Sequence, residues 1–171
     1  MTPGLRLFML TAHILSSVGL VGAIAAFLAL SITGLTSQDA LTVRAVYLAM
    51  DLNARLVIVP LSFAALLTGV VQALGTPWGL FRHYWVLLKL LLTVFATTVL
   101  LIKIELIRYV ADGAARTTLS TADLHEVRLQ LVAHAAGGLL VLLVPVVLSV
   151  YKPRGMTRYG ARQLREQRML S

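Results

Sequence analysis

Four long apolar stretches constrain the fold of this chain more than any other feature of its sequence. They cover residues 7–33, 56–74, 85–102 and 129–150. A helix that crosses the hydrocarbon core of a membrane needs about 20 mainly apolar residues, and each stretch is close to that length or longer. Charged residues make up only 13% of the chain, whereas soluble domains carry about 25%. The sequence therefore predicts an all-α fold, an integral membrane four-helix bundle.

The basic residues predict how this bundle is oriented. The formal net charge is +8, and six of the fifteen basic residues fall within the last twenty positions. These six are Lys152, Arg154, Arg158, Arg162, Arg165 and Arg168. Basic segments next to a span face the cytoplasm, and an even number of spans places both termini on one side. We therefore expect both termini to be cytoplasmic, with a transmembrane domain over 1–150 and a basic cytoplasmic tail over 151–171.

The position of the basic tail also bears on its partner. A run of arginines is found in nucleic-acid-binding proteins, but here the run begins directly after an apolar span. Basic residues in that position are typical of a juxtamembrane segment that attracts anionic lipid headgroups. We therefore expect the lipid bilayer and its anionic headgroups as partners, and no nucleic acid.

Two loops on the other side of the membrane carry helix-start signals. In the first loop, Ser37 is a candidate N-cap and Asp39 is favourable in the first turn. The second span is therefore predicted to begin as a helix that overhangs the membrane, and in it Asp51 and Arg55 are spaced to form an ion pair. In the second loop, the sequence SerThrAlaAsp at 120–123 resembles a capping box before the fourth helix.

Small residues are concentrated in the first and fourth spans. Such residues let membrane helices approach each other closely, and they can also leave a slot for a cofactor. The small residues are Ser16, Ser17, Gly19, Gly22, Ala23 and Ala26 in the first span, and Ala133, Gly137 and Gly138 in the fourth. Close helix packing is the interpretation that this pattern favours.

Four polar positions interrupt the apolar spans: His13, Gln72, Lys89 and His134. Ionisable groups inside a membrane are candidates for function. Each also has a structural interpretation, since a histidine can bond to a backbone carbonyl and Lys89 can extend to the interface. Lys89 can also stack on Trp85, four residues before it.

Depth in the membrane separates these candidates. At about 1.5 Å per residue, His13 lies about 10–12 Å and Lys89 about 6–8 Å from the cytoplasmic boundary. His134 lies about 24 Å from that boundary by the same rise. His13 and Lys89 therefore match in level, and His134 matches neither of them.

Several kinds of site are excluded by the sequence. The chain has no cysteine, which excludes cysteine-ligated iron–sulfur clusters and the attachment of c-type haem. It has no HExxH motif and no pair of carboxylates inside a span, which argues against zinc and di-iron chemistry. It also has neither a GxGxxG nor a Walker motif, which argues against nucleotide binding.

Nearly the whole chain resembles an uncharacterised family of small bacterial predicted integral membrane proteins. The resemblance is carried by the segments TAHILSSVGLVGAIAAF, RLVIVPLSFAALLTG, GTPWGLFRHYWVLLKLLLTVF and HAAGGLLVLLVPVVLSVYKPRG. This resemblance implies a multi-pass protein of the inner (plasma) membrane.

A more distant similarity is to the haem-binding membrane protoporphyrinogen oxidases. Their pattern is a histidine early in the first span, Arg-x-x-x-x-Pro and ThrGly in the second, and Trp-x-x-x-Lys at the start of the third. The matching positions here are His13, Arg55, Pro60, Thr68, Gly69, Trp85 and Lys89. In that family the histidine and the lysine are associated with haem. Membrane domains of the copper-resistance type share the histidine followed by glycine-rich sequence, but their usual tryptophan before the glycine is absent here.

These resemblances imply a b-type haem-binding protein that handles electrons, without showing whether it is an enzyme. His13 is the expected iron ligand, Lys89 is the second ligand or a close partner, and His134 is a lower-ranked candidate. One alternative is a non-enzymatic membrane scaffold or accessory subunit that uses its basic tail. Another is a permease for a small solute or metal ion, which would use His13, Lys89 and Gln72 and would have to form a homo-oligomer.

Overall fold

The described part of the chain forms four long helices. The computed structural model describes residues 2–75, 81–116 and 121–151, together with 155, 157, 160–162 and 169, and it describes only the backbone of 113–116 and 121–124. The helices are α1 (Pro3–Thr36), α2 (Ala40–Gly75), α3 (Tyr84–Arg116) and α4 (Thr121–Tyr151). Each contains one of the apolar stretches. All four are long and apolar enough to cross a membrane, which confirms the all-α four-helix membrane fold.

Asp39 caps the start of α2, and this corrects the prediction that Ser37 does so. The Asp39 carboxylate accepts hydrogen bonds from the Thr42 hydroxyl at 2.6 Å and from the Thr42 backbone N–H at 3.0 Å. These two bonds, the hydroxyl bond first, hold the pKa of Asp39 below its ordinary value. Ser37 instead accepts the Asp39 backbone N–H at 3.3 Å, within the short link between α1 and α2.

The helix α2 is continuous but contains a π-helical turn over Ala54–Ile58. There the Val59 N–H donates to the carbonyl of Ala54, five residues earlier, where an α-helix bonds across four. The predicted Asp51–Arg55 ion pair is confirmed at this turn, with Arg55 Nη2 2.6 Å from Asp51 Oδ1. As the sequence predicts, α2 begins well before the apolar stretch that starts at residue 56.

The packing of the helices defines two diagonals. α1 packs against α2 and α4, and α3 also packs against α2 and α4. α1 therefore faces α3 across the centre of the bundle, and α2 faces α4. We call the end that carries residues 2–13 and 81–84 the terminal end, and the end that carries residues 37–39 the distal end.

One apolar core fills the centre between the helices. Its residues recur every three or four positions, which places one side of each helix inward. The most buried include Leu20 and Phe27 of α1, Tyr47, Met50, Ala54 and Ile58 of α2, Ile107 and Val110 of α3, and Leu131 and Leu142 of α4. The outer surface is also apolar: Leu15, Leu67, Leu91 and Leu140 are each more than 60% exposed. An apolar surface of this kind is suited to contact with a lipid bilayer.

Glycines in the predicted close-packing regions have different surroundings. An added Cβ at Gly19 would lie 3.3 Å from the side chain of Leu61 in α2, so α1 and α2 do approach closely there. An added Cβ at Gly22, Gly137 or Gly138 would have no atom within 4 Å. The prediction of close helix packing is therefore wrong at these three positions, because they lie outside the helix contacts.

Part of the tail folds back onto the terminal end. The buried Thr157 hydroxyl donates to the carbonyl of Phe81 at 2.5 Å, and the Thr157 N–H donates to the carbonyl of Arg82 at 3.0 Å. Of the six basic tail residues, Arg162 is described and exposed. The other five lie outside the described residues, so binding of the tail to lipid stays a prediction.

Candidate functional site

His13 is held against α2 by its Nδ1 atom. Nδ1 lies 3.1 Å from the carbonyl oxygen of Ala65 and 3.1 Å from the hydroxyl oxygen of Thr68. A carbonyl only accepts hydrogen bonds, so Nδ1 carries the proton. The Thr68 hydroxyl donates its own proton to the carbonyl of Ala64 at 2.6 Å, which leaves its oxygen free to accept from Nδ1. In the neutral ring, Nε2 therefore carries the lone pair.

This arrangement is the one that a metal-binding histidine needs. Such a histidine usually donates its second ring N–H to a carbonyl or carboxylate, which fixes the tautomer and the orientation of the ring. Among the residues that the structure describes, no hydrogen bond is made to His13 Nε2. The ring therefore presents an oriented lone pair within the terminal half of the bundle.

Gly69 makes room for the His13 ring. A Cβ atom added at Gly69 would lie 3.0 Å from His13 Cε1, closer than the 3.5–4.0 Å or so at which carbon atoms pack. The backbone of α2 thus forms one wall beside the imidazole. The ThrGly pair at 68–69 has two tasks, since Thr68 bonds the ring and Gly69 leaves space for it.

Lys89 lies on α3, on the diagonal opposite α1. Its ammonium donates to the hydroxyl of Ser149 in α4 at 2.9 Å, and it lies 4.9 Å from the centre of the Trp85 ring. The predicted stacking of Lys89 on Trp85 is therefore confirmed. The Ser149 hydroxyl donates a hydrogen bond to the carbonyl of Pro145 at 2.7 Å, so its oxygen is available to accept from Lys89.

Two hydrogen-bonded pairs lie in the terminal half, His13 with Thr68 and Lys89 with Ser149. Together with Gln72, we call these residues the polar cluster. Gln72 lies one helical turn beyond Thr68, and its buried Nε2 has no hydrogen-bond partner. An amide donor buried without a partner is costly, so this cluster has capacity for a further acceptor.

The remaining histidines are not part of this cluster. The exposed His134 bonds through Nδ1 to the carbonyl of Gln130 at 2.6 Å, one turn earlier in its own helix. His83 lies in the turn before α3, with its ring 6.2 Å from that of Trp85, and His125 is exposed on α4. Within the described parts of the chain, no three His, Cys, Asp or Glu side chains converge to hold a metal ion. A metal centre at the polar cluster would therefore have few ligands from the described side chains.

An apolar groove of about 570 Å³ lies beside the cluster, on the outer side of α3 and α4. It is lined by Tyr84, Trp85, Leu87, Leu88, Leu91, Leu148 and Gly155. Trp85 belongs both to this groove and to the surroundings of Lys89, whereas His13 does not line it. The groove is therefore separated from the imidazole.

Ser149 is the residue of the cluster that the sequence does not single out. A serine near the end of an apolar span is ordinary, and only the packing of α3 against α4 reveals its contact with Lys89. The spacing Pro145–Ser149 is a signal that could have identified Ser149, because a serine hydroxyl can donate a hydrogen bond to the carbonyl four residues earlier.

Comparisons with known proteins add no relative. No family model matches the chain, and no curated protein and no solved structure matches it. The resemblances described above therefore stay predictions.

Proposed function

We propose that this protein is a membrane b-type haemoprotein that transfers electrons, with His13 as an iron ligand. The observation that carries the proposal is the anchored His13 ring, whose Nδ1–H is bonded to Ala65 and Thr68. That bonding leaves the Nε2 lone pair for a metal. The inner membrane is the proposed location, with both termini in the cytoplasm.

The donor set fits a haem better than it fits a bare metal ion. Haem iron already has four nitrogen ligands from its macrocycle, so one or two protein ligands are enough. A zinc ion in a structural site needs four ligands from the protein and a catalytic zinc needs three. His13 is the one histidine of the polar cluster. When bound, a haem would supply reversible one-electron chemistry at its iron.

The residues of the cluster have separate roles in this proposal. Ala65 and Thr68 orient the imidazole, and Gly69 allows the ring to lie close to α2. Lys89 is held by Ser149 and Trp85 as a donor, and an amine must lose its proton before it can ligate iron. These contacts favour Lys89 as a positively charged partner beside the cofactor over Lys89 as the second ligand.

The permease alternative has less support. A path for a polar solute would have to continue from the polar cluster to the distal end. Between them lies a packed apolar core that includes Phe27, Ile58 and Leu142, each no more than 7% exposed. The scaffold alternative makes no demand on His13, so a test of haem binding separates it from the proposal.

The test is a reduced-minus-oxidised spectrum of the protein expressed with ample haem. We expect a coloured wild-type protein, loss of haem from His13→Ala, and a shifted Soret band in Lys89→Met. Matched controls are His134→Ala, His83→Ala and His125→Ala, which lie outside the cluster and should leave the spectrum unchanged. A colourless wild-type protein would contradict the proposal and leave the accessory-subunit interpretation. If His13→Ala retained haem and His134→Ala lost it, the haem site would instead be assigned to His134 on α4.

A further inference from the structure

A second group of polar atoms lies in the core near the distal end, far from His13. Tyr47 of α2 is only 1% exposed, and its ring packs against Gly34 of α1. An added Cβ at Gly34 would lie 2.9 Å from the Tyr47 hydroxyl oxygen. From the diagonal helix α4, the guanidinium carbon of Arg128 lies 5.3 Å from the centre of the Tyr47 ring.

One buried polar atom on each of these two side chains has no hydrogen-bond partner. The Tyr47 hydroxyl and Arg128 Nε are buried atoms with no hydrogen-bond partner. Among the described side chains the one salt bridge joins Arg55 to Asp51, so no described carboxylate pairs with Arg128. Buried polar groups in folded proteins are nearly always bonded to something, and an unfilled donor points to a water, ion or ligand.

The chemistry of the two groups defines the missing partner. A guanidinium can only donate hydrogen bonds, and a phenol hydroxyl donates one. The partner must therefore supply acceptor oxygens, and the positive charge of Arg128, which no described carboxylate pairs, favours an anion. Guanidinium groups bind carboxylate and phosphate oxygens in preference to other acceptors.

The position of Arg128 makes the site accessible. It lies one residue before the apolar stretch that begins at residue 129, within the first turn of the membrane-spanning segment His125–Tyr151 and toward the distal end of the bundle. Its side chain is half-buried, so a group at the surface of the distal end can reach it. The Tyr47 side chain is more buried than that of Arg128, and its hydroxyl lies against Gly34 of α1.

We propose that Tyr47 and Arg128 form a binding site for an anionic oxygen group, a phosphate or a carboxylate. Arg128 supplies the positive charge and part of the hydrogen bonding, and the Tyr47 hydroxyl donates one further bond. The source is either the headgroup of a phospholipid or a small soluble anion. This site is independent of haem binding at His13.

Two measurements distinguish the sources. The first is the melting temperature of the purified protein in neutral detergent with inorganic phosphate, acetate or chloride at equal ionic strength. The second is mass spectrometry of lipid retained after exchange into micelles that contain phosphatidylglycerol or a neutral glycolipid. We expect phosphate, acetate or phosphatidylglycerol to bind, and chloride and the glycolipid to have no effect.

Two variants assign the binding to this pair. Arg128→Gln should lower the affinity for the probe by tenfold or more. Tyr47→Phe should lower it by about tenfold, as loss of a hydrogen bond to a charged group does. Without any probe, Tyr47→Phe should melt at or above the wild-type temperature, because the lost hydroxyl has no partner in the protein and its burial is costly. Arg108→Gln and Tyr109→Phe, exposed on α3, are the matched controls.

Three results would overturn the proposal. One is that no probe binds to the wild-type protein. Another is that Arg128→Gln binds as well as Arg108→Gln does. The third is that Tyr47→Phe melts well below the wild-type protein without any probe, which would show that the hydroxyl bonds to the protein itself.

Discussion

Replacement of Gly69 by alanine tests the geometry of the His13 site without any cofactor. The new methyl group would begin 3.0 Å from His13 Cε1. Carbon atoms pack at about 3.5–4.0 Å, so the ring or the helix must move by about 0.5 Å or more. His13 Nδ1 lies 3.1 Å from the Ala65 oxygen, near the upper end of the usual range. A shift of that size away from α2 would break this bond.

The magnitude follows from two opposed effects. A buried donor that loses its acceptor costs about 1–3 kcal/mol. Alanine is favoured over glycine inside a helix by about 0.8–1.0 kcal/mol. Gly69→Ala should therefore range from nearly neutral to about 2 kcal/mol destabilising. Gly22→Ala is the matched control, because its added Cβ meets no atom within 4 Å. Gly22→Ala should be more stable than the wild-type protein by the helix propensity of alanine over glycine alone, about 1 kcal/mol.

The assay is reversible denaturation of both variants in the same detergent, in the wild-type and His13→Ala backgrounds. We expect the two variants to differ by about 1–3 kcal/mol in the wild-type background. In the His13→Ala background the ring is absent, so the difference should disappear. Equal stabilities of Gly69→Ala and Gly22→Ala in the presence of His13 would refute the contact between His13 and α2. A difference that persists in the His13→Ala background would assign the cost to another neighbour of Gly69.

Three further predictions concern the ends of the bundle. Accessibility of tags at both termini should place them in the cytoplasm, and an external C-terminus would contradict the orientation drawn from the basic tail. A tail with all six basic residues changed to glutamine should bind anionic vesicles less tightly than the native tail; in low salt the loss should be about 1 kcal/mol per residue, and equal binding to neutral vesicles would contradict it. The pKa of Asp39 lies below its ordinary value, so its capping contribution should be present at neutral pH and be lost as the pH falls through the lowered pKa. The melting temperature of Asp39→Asn should therefore depend less on pH between pH 5 and pH 2 than that of the wild-type protein. An identical dependence of the two melting temperatures on pH would argue against the cap.

The sequence was sufficient for the architecture because hydrophobicity over 20 residues is a strong signal. It also predicted the ion pair of Asp51 with Arg55 and the contact of Lys89 with Trp85, since both depend on helical spacing alone. The sequence favours Ser37 as the N-cap because two capping residues lie close together, and only backbone geometry shows that Asp39 is the cap.

Contacts between helices were harder to predict than contacts within them. Ser149 meets Lys89, and Arg128 meets Tyr47, across helices whose rotation the apolar pattern does not determine. A membrane helix is apolar on nearly every side, so hydrophobicity does not distinguish the face toward the core from the face toward lipid. For the same reason, Gly137 and Gly138 were expected at a close contact and lie outside it.

The π turn at Ala54–Ile58 has a consequence for how this chain can change in length. A π turn accommodates one residue more than a turn of α-helix. The side chains before and after it therefore point in the same directions as they would if the extra residue were absent. A deletion inside the turn, for instance of the largely exposed Leu56, would convert it to regular α-helix and leave Tyr47 and Ala65 directed at their present neighbours. A deletion elsewhere in α2 would rotate all residues beyond it by about 100°, the angle per residue of an α-helix. Homologous chains that differ by one residue in α2 should therefore have their gap at this turn.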